Sequence, residues 1–143
     1  MADGAFQVQL VWRNGFRADA QKQFHKAQCF VDSETIRLMK RFTPARNLFL
    51  SEKAPVLGTK AGTGRIYYLA PYGRYQYYGK LMVSSVNGSA WARHGEKKVL
   101  TGRSLHYSTL RHPEAQAKWF ETTKQRYKQQ ILRGAAAIAG GKA

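Results

Sequence analysis

Acidic residues are scarce in this chain: eight Asp and Glu stand against 24 Lys and Arg in 143 residues. So few carboxylates, scattered as they are, leave no obvious pair for general acid and base work and no acidic cluster for magnesium. Cysteine is scarcer still. A single one, Cys29, excludes an internal disulfide, and four dispersed histidines give no Cys/His group with zinc spacing. No run of about 18 apolar residues occurs, and the opening MADGAFQVQL lacks a cationic segment followed by an apolar stretch. The residues therefore predict an intracellularly made protein with no membrane, metal or cofactor requirement and no catalytic residues.

What is present is positive charge. The formal charge is +16, far more than solubility requires, and it points to a polyanionic surrounding, either nucleic acid or an acidic protein surface. The excess is not a detachable tail, since residues 46–110 alone carry ten basic against two acidic side chains. At 43% apolar residues the chain can bury a core, and residues 1–143 are expected to form one domain.

Periodicity gives a coarse map. Phe6, Val8, Leu10 and Trp12 alternate as a half-buried strand before the Asn14-Gly15 turn. From Phe16, apolar residues recur three or four apart through Ala20, Phe24, Ala27, Val31, Thr35, Leu38 and Phe42, predicting a helix over 17–41 that Pro44 stops. Such a helix is nearly 40 Å long, so part of it should project beyond a small sheet. Short strands are expected at 47–53, 65–70, 80–83 and 105–108, with a turn or flexible loop at 54–64 and one or two helical turns at 72–78 closed by Gly79. Residues 84–98 read as a long basic surface loop with Trp91 as its large anchor. A second long helix is expected from Pro113, with Glu114 near its positive end and Gly134 as its cap, followed by a frayed tail over 133–143. The expected fold is α+β: long N-terminal and C-terminal helices on a small, mostly antiparallel sheet, with long basic loops and no repeats.

The chemistry-bearing patterns have plain alternatives beside them. Glycines 58–64 superficially suggest a phosphate cradle, but Gly58-Thr59-Lys60 has no glycine five positions before its Gly-Lys pair. His25 and His112 read as helix-surface and capping residues, and Cys29 as a small buried hydrophobe. GRIYYLAPYGRYQYYG, residues 64–79, packs six tyrosines into sixteen positions. They could stack on bases, with Arg65 and Arg74 on phosphates. The reading favoured by the alternation of Tyr67 and Leu69 is that Tyr67, Tyr72, Tyr75 and Tyr78 pack in the domain while their hydroxyls reach polar partners.

That segment and KLMV, followed by KKVLTGRSLHYS and RHPEAQAKWFETTKQ, closely resemble the minor capsid protein family of long-tailed bacteriophages. Its members carry a PYARYQYYG-type segment and a C-terminal HP-A---WFE-AK helix, and belong with the tail-completion proteins of the head-to-tail junction. The likeness runs over residues 17–133. PARNLFLS keeps the family's Pro44, Leu48 and Ser51 but has Arg46-Asn47 where Thr-Gly is usual, and Gly73 stands where alanine is common.

The resemblance implies a non-enzymatic structural component of the virion neck, assembled in the host cytoplasm as a homo-oligomeric ring between portal or adaptor-side and tail-side phage proteins. Double-stranded DNA would pass through it and touch it without sequence preference. Two patches are expected to meet neighbouring subunits: Tyr72, Arg74, Tyr75, Tyr77 and Tyr78 on the aromatic segment, and Phe24, Val31 and Leu38 on the first helix. Lys60, Arg65, Arg93, Lys97 and Lys98 are the candidate DNA-facing loop residues. The alternatives from other classes are a small metal-independent ribonuclease using Tyr75, Arg74, His94 and His106, or a non-specific nucleic-acid-binding protein.

Overall fold

The structure, a computed structural model, describes Gln9 and residues 11–140. The expected opening strand therefore lies almost wholly outside the described residues. Its described end, Val11 and Trp12, is irregular, with the Trp12 ring stacked 4.7 Å from Phe16.

Helix α1 (Phe16–Met39) follows the apolar stripe read from the sequence. Asp19 sits in its first turn, where a carboxylate favours the helix dipole, and pairs with Arg13 at 2.7 Å. Its two halves differ. Residues 16–26 contain no buried side chain, whereas Ala27, Asp32, Thr35, Leu38 and Met39 are buried farther along. The first three turns thus overhang the core, as the helix length predicts. A tight 3-10 turn, Lys40–Phe42, finishes the element. Thr43 then turns extended ahead of Pro44, and its hydroxyl donates back to the Met39 carbonyl at 2.9 Å.

Helix α4 (Trp119–Ile138) lies along α1. The expected start at Pro113 is wrong, and tertiary contacts explain why. Residues 113–118 instead strap the end of α1. The Gln116 N–H donates to the Phe42 carbonyl (3.0 Å), His112 Nδ1 meets the Thr43 carbonyl (2.7 Å), and the Lys118 N–H donates to the Tyr77 carbonyl (2.8 Å). Gly134 is not a cap but a point of close approach. A Cβ there would lie 2.4 Å from the tip of the Phe30 ring, so any larger residue would have to push that ring aside. The helix also continues through the supposed frayed tail to Ile138, while residues 141–143 lie outside the described ones.

Between the long helices, the expected strand at 47–53 is instead a wide π-type turn, Phe49–Lys53, running into the short helix α2 (Ala54–Gly58). Leu50 and Ser51 are buried, Lys53 is exposed, and Ala54 and Pro55 are buried again, adjacent pairs four apart that a helical face gives and an alternating strand does not. α2 replaces part of the expected loop. The next segment, residues 65–70, is extended as expected but pairs with no strand: Leu69 donates to the Ala54 carbonyl at the edge of α2. Its faces are the reverse of those expected. Ile66, Tyr68 and Ala70 pack on the core, while Tyr67 and Leu69 are exposed, a one-residue slip that inverts an alternating segment.

Helix α3 (Gly73–Tyr78) forms where expected and closes on Gly79, whose φ of 67° suits glycine. Strand β1 (Lys80–Ser84) also forms as expected and pairs antiparallel with β2 (Lys98–Ser104), Met82 opposite Leu100 and Val83 opposite Val99. The second strand thus precedes the predicted 105–108. The register breaks between Lys80 and Met82, where the Thr101 hydroxyl donates to the Leu81 carbonyl at 2.7 Å. Two long helices with a small two-stranded antiparallel sheet make the expected α+β arrangement. The core is Met39, Phe42, Leu50, Ala54 and Trp119, with Ile66, Tyr68, Ala70, Tyr72 and Tyr77 packed against it.

Candidate interface site: the aromatic corner and its groove

Trp119, 2% exposed, is the centre of the aromatic corner. The Tyr77 ring meets it edge-on with centroids 4.9 Å apart, and the Tyr68 ring lies tilted at 5.6 Å. Such pairs add about 0.5–1.5 kcal/mol each beyond the area they bury. The Tyr77 hydroxyl donates to the Glu121 carboxylate, and the Tyr107 hydroxyl to the Gln76 carbonyl. Burial, with the Glu121 carboxylate second, pushes the Tyr77 phenol far above the ordinary tyrosine range. Burial alone raises Tyr107 and is the main cause for Tyr68 and Tyr75.

The expectation that Tyr67, Tyr72, Tyr75 and Tyr78 pack internally is therefore corrected. Tyr68 and Tyr77 hold the corner together, with Tyr72 against the core and Tyr75 half-buried. Tyr67 and Tyr78 face outward, 56% and 48% exposed. On α1 the patch is also thinner than expected: Leu38 is buried within the chain, Val31 is half-buried, and Phe24 alone of the three is fully offered to solvent.

Beside the corner lies an open groove of about 860 Å³. Met39, Ile66 and Trp119 form its floor, and Tyr67, Tyr78 and Phe120 its walls. It continues into a smaller depression of about 250 Å³ between α1 and α4, where Val31, Ile131 and Leu132 are the apolar lining. Gly64, Ile66 and Phe120 line both, so the two depressions adjoin. Arg74 borders the larger part, Lys124 and Lys128 the smaller. The sequence reading did not find Lys124 and Lys128, although Phe120, Lys124 and Lys128, each four residues from the next, share one helix face.

Compared with protein-family models, curated proteins and solved structures, the chain matches none. The site is thus read from its own residues.

The glycine loop, residues 59–64, is neither a phosphate cradle nor free. The Gly62, Thr63 and Gly64 N–H groups all donate to Asp32 Oδ2, at 2.8, 3.1 and 3.1 Å, and Gln28 Nε2 donates to Oδ1 at 2.8 Å. A row of backbone N–H groups that would bind an anion already holds a buried carboxylate. Gly62, at φ 89°, also sits where a Cβ would collide with His25. Cys29 is half-buried, its Sγ 3.6 Å from His25 Nε2, rather than fully buried. Lys60 and Arg65 project from this pinned loop.

The 85–97 loop is long and exposed, as expected, yet internally stitched. Glu96 Oε2 accepts from the Ser84 hydroxyl (2.8 Å) and the Arg93 N–H (3.1 Å), and the Lys98 amine donates to the Ala90 carbonyl (2.8 Å). Trp91 does not anchor it, being 86% exposed. Arg93, His94, Lys97 and Lys98 are all on its surface, and the Lys98 amine stands 6.0 Å over the Tyr75 ring. His94 and His106 are exposed, and neither lines the groove that Arg74 borders.

Proposed function

We propose that the chain is a structural component of the phage virion neck, a ring-forming tail-completion protein at the head-to-tail junction. One observation supports this reading above the others. The PYGRYQYYG segment and the WFE helix, the two motifs that carry the resemblance, are each other's packing partners: Tyr77 and Tyr68 lie on Trp119, and Tyr77 is bonded to Glu121.

In this role the aromatic corner is rigid inside and adhesive outside. Tyr68, Tyr77 and Trp119 fix α3 and α4, so that Tyr67, Tyr78, Phe120 and Arg74 present a firm surface to an adjoining portal-side or tail-side protein, the side-chain types that interfaces favour. The overhanging start of α1, with Phe16 and Phe24 exposed, is the second surface. Lys60, Arg65, Arg93, Lys97 and Lys98 remain available to passing DNA or to acidic neighbours.

The direct test is a particle preparation lacking the gene. Full heads accumulating beside separate finished tails are the expected result. Normal virions, or RNA turnover by the purified chain at a useful rate, would overturn the reading. Tyr78→Ala should reproduce the joining defect while the purified protein stays folded, its stability lowered only by the lost edge-on contact with Tyr77, about 1 kcal/mol.

A further inference from the structure

Every acidic side chain among the described residues is already engaged within the chain. Asp19 pairs with Arg13, Glu34 with Arg37, Glu52 with Lys40, and Glu114 with both Arg41 and Arg126. Asp32 holds the glycine loop, Glu96 its own loop, and Glu121 the Tyr77 hydroxyl. The cations around the groove have no such partner: Arg74, Lys124 and Lys128 form no ion pair among the described residues. A second copy brought to this surface would offer more cations and, among the described residues, no spare carboxylate, and like charges facing each other raise the cost of docking.

We infer that the groove between α1, α4 and the aromatic corner seats an amphipathic, acidic segment of a different protein. The floor and walls set the apolar half of that description. Ile66, Trp119 and Phe120 in the wide part, and Val31, Ile131 and Leu132 in the narrow part, suit aliphatic and aromatic side chains repeated along a helix or extended peptide. The cationic border sets the other half. Nucleic acid fits less well: Tyr67, Tyr78 and Phe120 offer ring faces in the wide part, but Val31, Ile131 and Leu132 make the apolar lining of the narrow part chiefly aliphatic, which suits side chains and not bases. This deepens the neck reading by naming the chemistry of the neighbour, and it rests on that reading only for where the segment comes from.

The experiment uses the full chain and a fluorescent synthetic peptide of about 18 residues, with leucines three and four apart and glutamates on the flanks. Its controls are the same composition scrambled, a lysine-for-glutamate version, and a thymidine oligonucleotide. The acidic amphipathic peptide should bind with an affinity that weakens as salt rises, while the scrambled and lysine peptides should not. Phe120→Asp and Arg74→Glu should each raise its Kd by on the order of tenfold. Leu132→Asp, at a side chain 49% exposed in the narrow part, gives an independent reading should Phe120→Asp unfold the chain. Three results would overturn the inference: peptide affinity unchanged by all three variants, tighter binding of the oligonucleotide that Phe120→Asp abolishes, or self-association that Phe120→Asp abolishes. None of these alters the gene-deletion result, so the groove and the neck role fail separately.

Discussion

Residues 59–64 and 85–97 are both glycine-bearing, basic connections, and each is held by one carboxylate, but from opposite directions. The first loop is gripped by Asp32, which lies thirty residues earlier on α1 and is 2% exposed. The second is gripped by Glu96, a member of the loop itself, across only three residues to Arg93 and twelve to Ser84. The glycine loop is therefore part of the helix packing and forms the edge of the groove through Gly64. The other folds largely on its own contacts and leaves Trp91 in solvent. Local sequence composition is nearly the same in the two. What differs is whether the anchoring charge is buried elsewhere or carried along.

Asp32→Ala should be the most damaging change that this contrast predicts. It removes four hydrogen bonds from a buried carboxylate and strands the Gly62, Thr63 and Gly64 N–H groups, of which Thr63 and Gly64 can still reach water. A loss of about 3 kcal/mol in chemical denaturation is expected. Asp32→Asn, which keeps one acceptor oxygen, should cost clearly less. If Asp32→Ala behaves like a surface substitution, within about 0.5 kcal/mol, the loop is not held from the helix and the comparison fails.

Tyr77→Phe is next in size, because it separates the buried corner from the exposed tyrosines. It keeps the ring on Trp119 and deletes the hydroxyl bonded to Glu121, for a loss of about 1 kcal/mol at neutral pH. The pH dependence has a definite sign. Tyr77, Tyr68, Tyr75 and Tyr107 release their protons less readily folded than unfolded, where the value is 10.0, so their contribution is intact below pH 10 and is lost as pH rises beyond it. Thermal midpoints should fall above pH 10, and less steeply for Tyr77→Phe. Equal slopes would mean the phenol is not shielded.

The sequence disclosed what depends on local pattern and concealed what depends on distant partners. α1, α3 and β1 were legible because a stripe of apolar residues, a closing glycine and a short apolar run, Leu81 to Val83, are local signals. The 47–53 segment was misread as a strand because nothing nearby says that Leu50 and Ala54 must reach one core. Tyr68 and Tyr67 exchanged roles because an alternating segment has two faces, and only the position of Trp119 chooses between them. Glu114 looked like a helix-start residue, yet Arg41 and Arg126, from two other elements, take its carboxylate. The candidate site shares this division. Its tyrosines and Arg74 stood out in the sequence, whereas the groove exists only once α4 brings Phe120, Lys124 and Lys128 beside Ile66.

The smallest expected effects return to the self-contained loop. Glu96→Gln removes a charge but keeps an oxygen that the Ser84 hydroxyl and the Arg93 N–H can still find, and global stability should change by no more than about 0.5 kcal/mol. Its signature should be local instead: faster amide hydrogen exchange at Arg93 and Val86, whose N–H groups lean on Glu96 and on the Ser84 hydroxyl that it holds, with exchange at Gly62 unchanged. Asp32→Ala should do the reverse, exposing Gly62 through Gly64 and leaving Arg93 protected. Should Glu96→Gln lower the global unfolding midpoint as much as Asp32→Ala does, the 85–97 loop would belong to the same cooperative unit as the helices. Its exposed Trp91 would then have to be counted as part of a rigid surface and not as the tip of an independently folded connection.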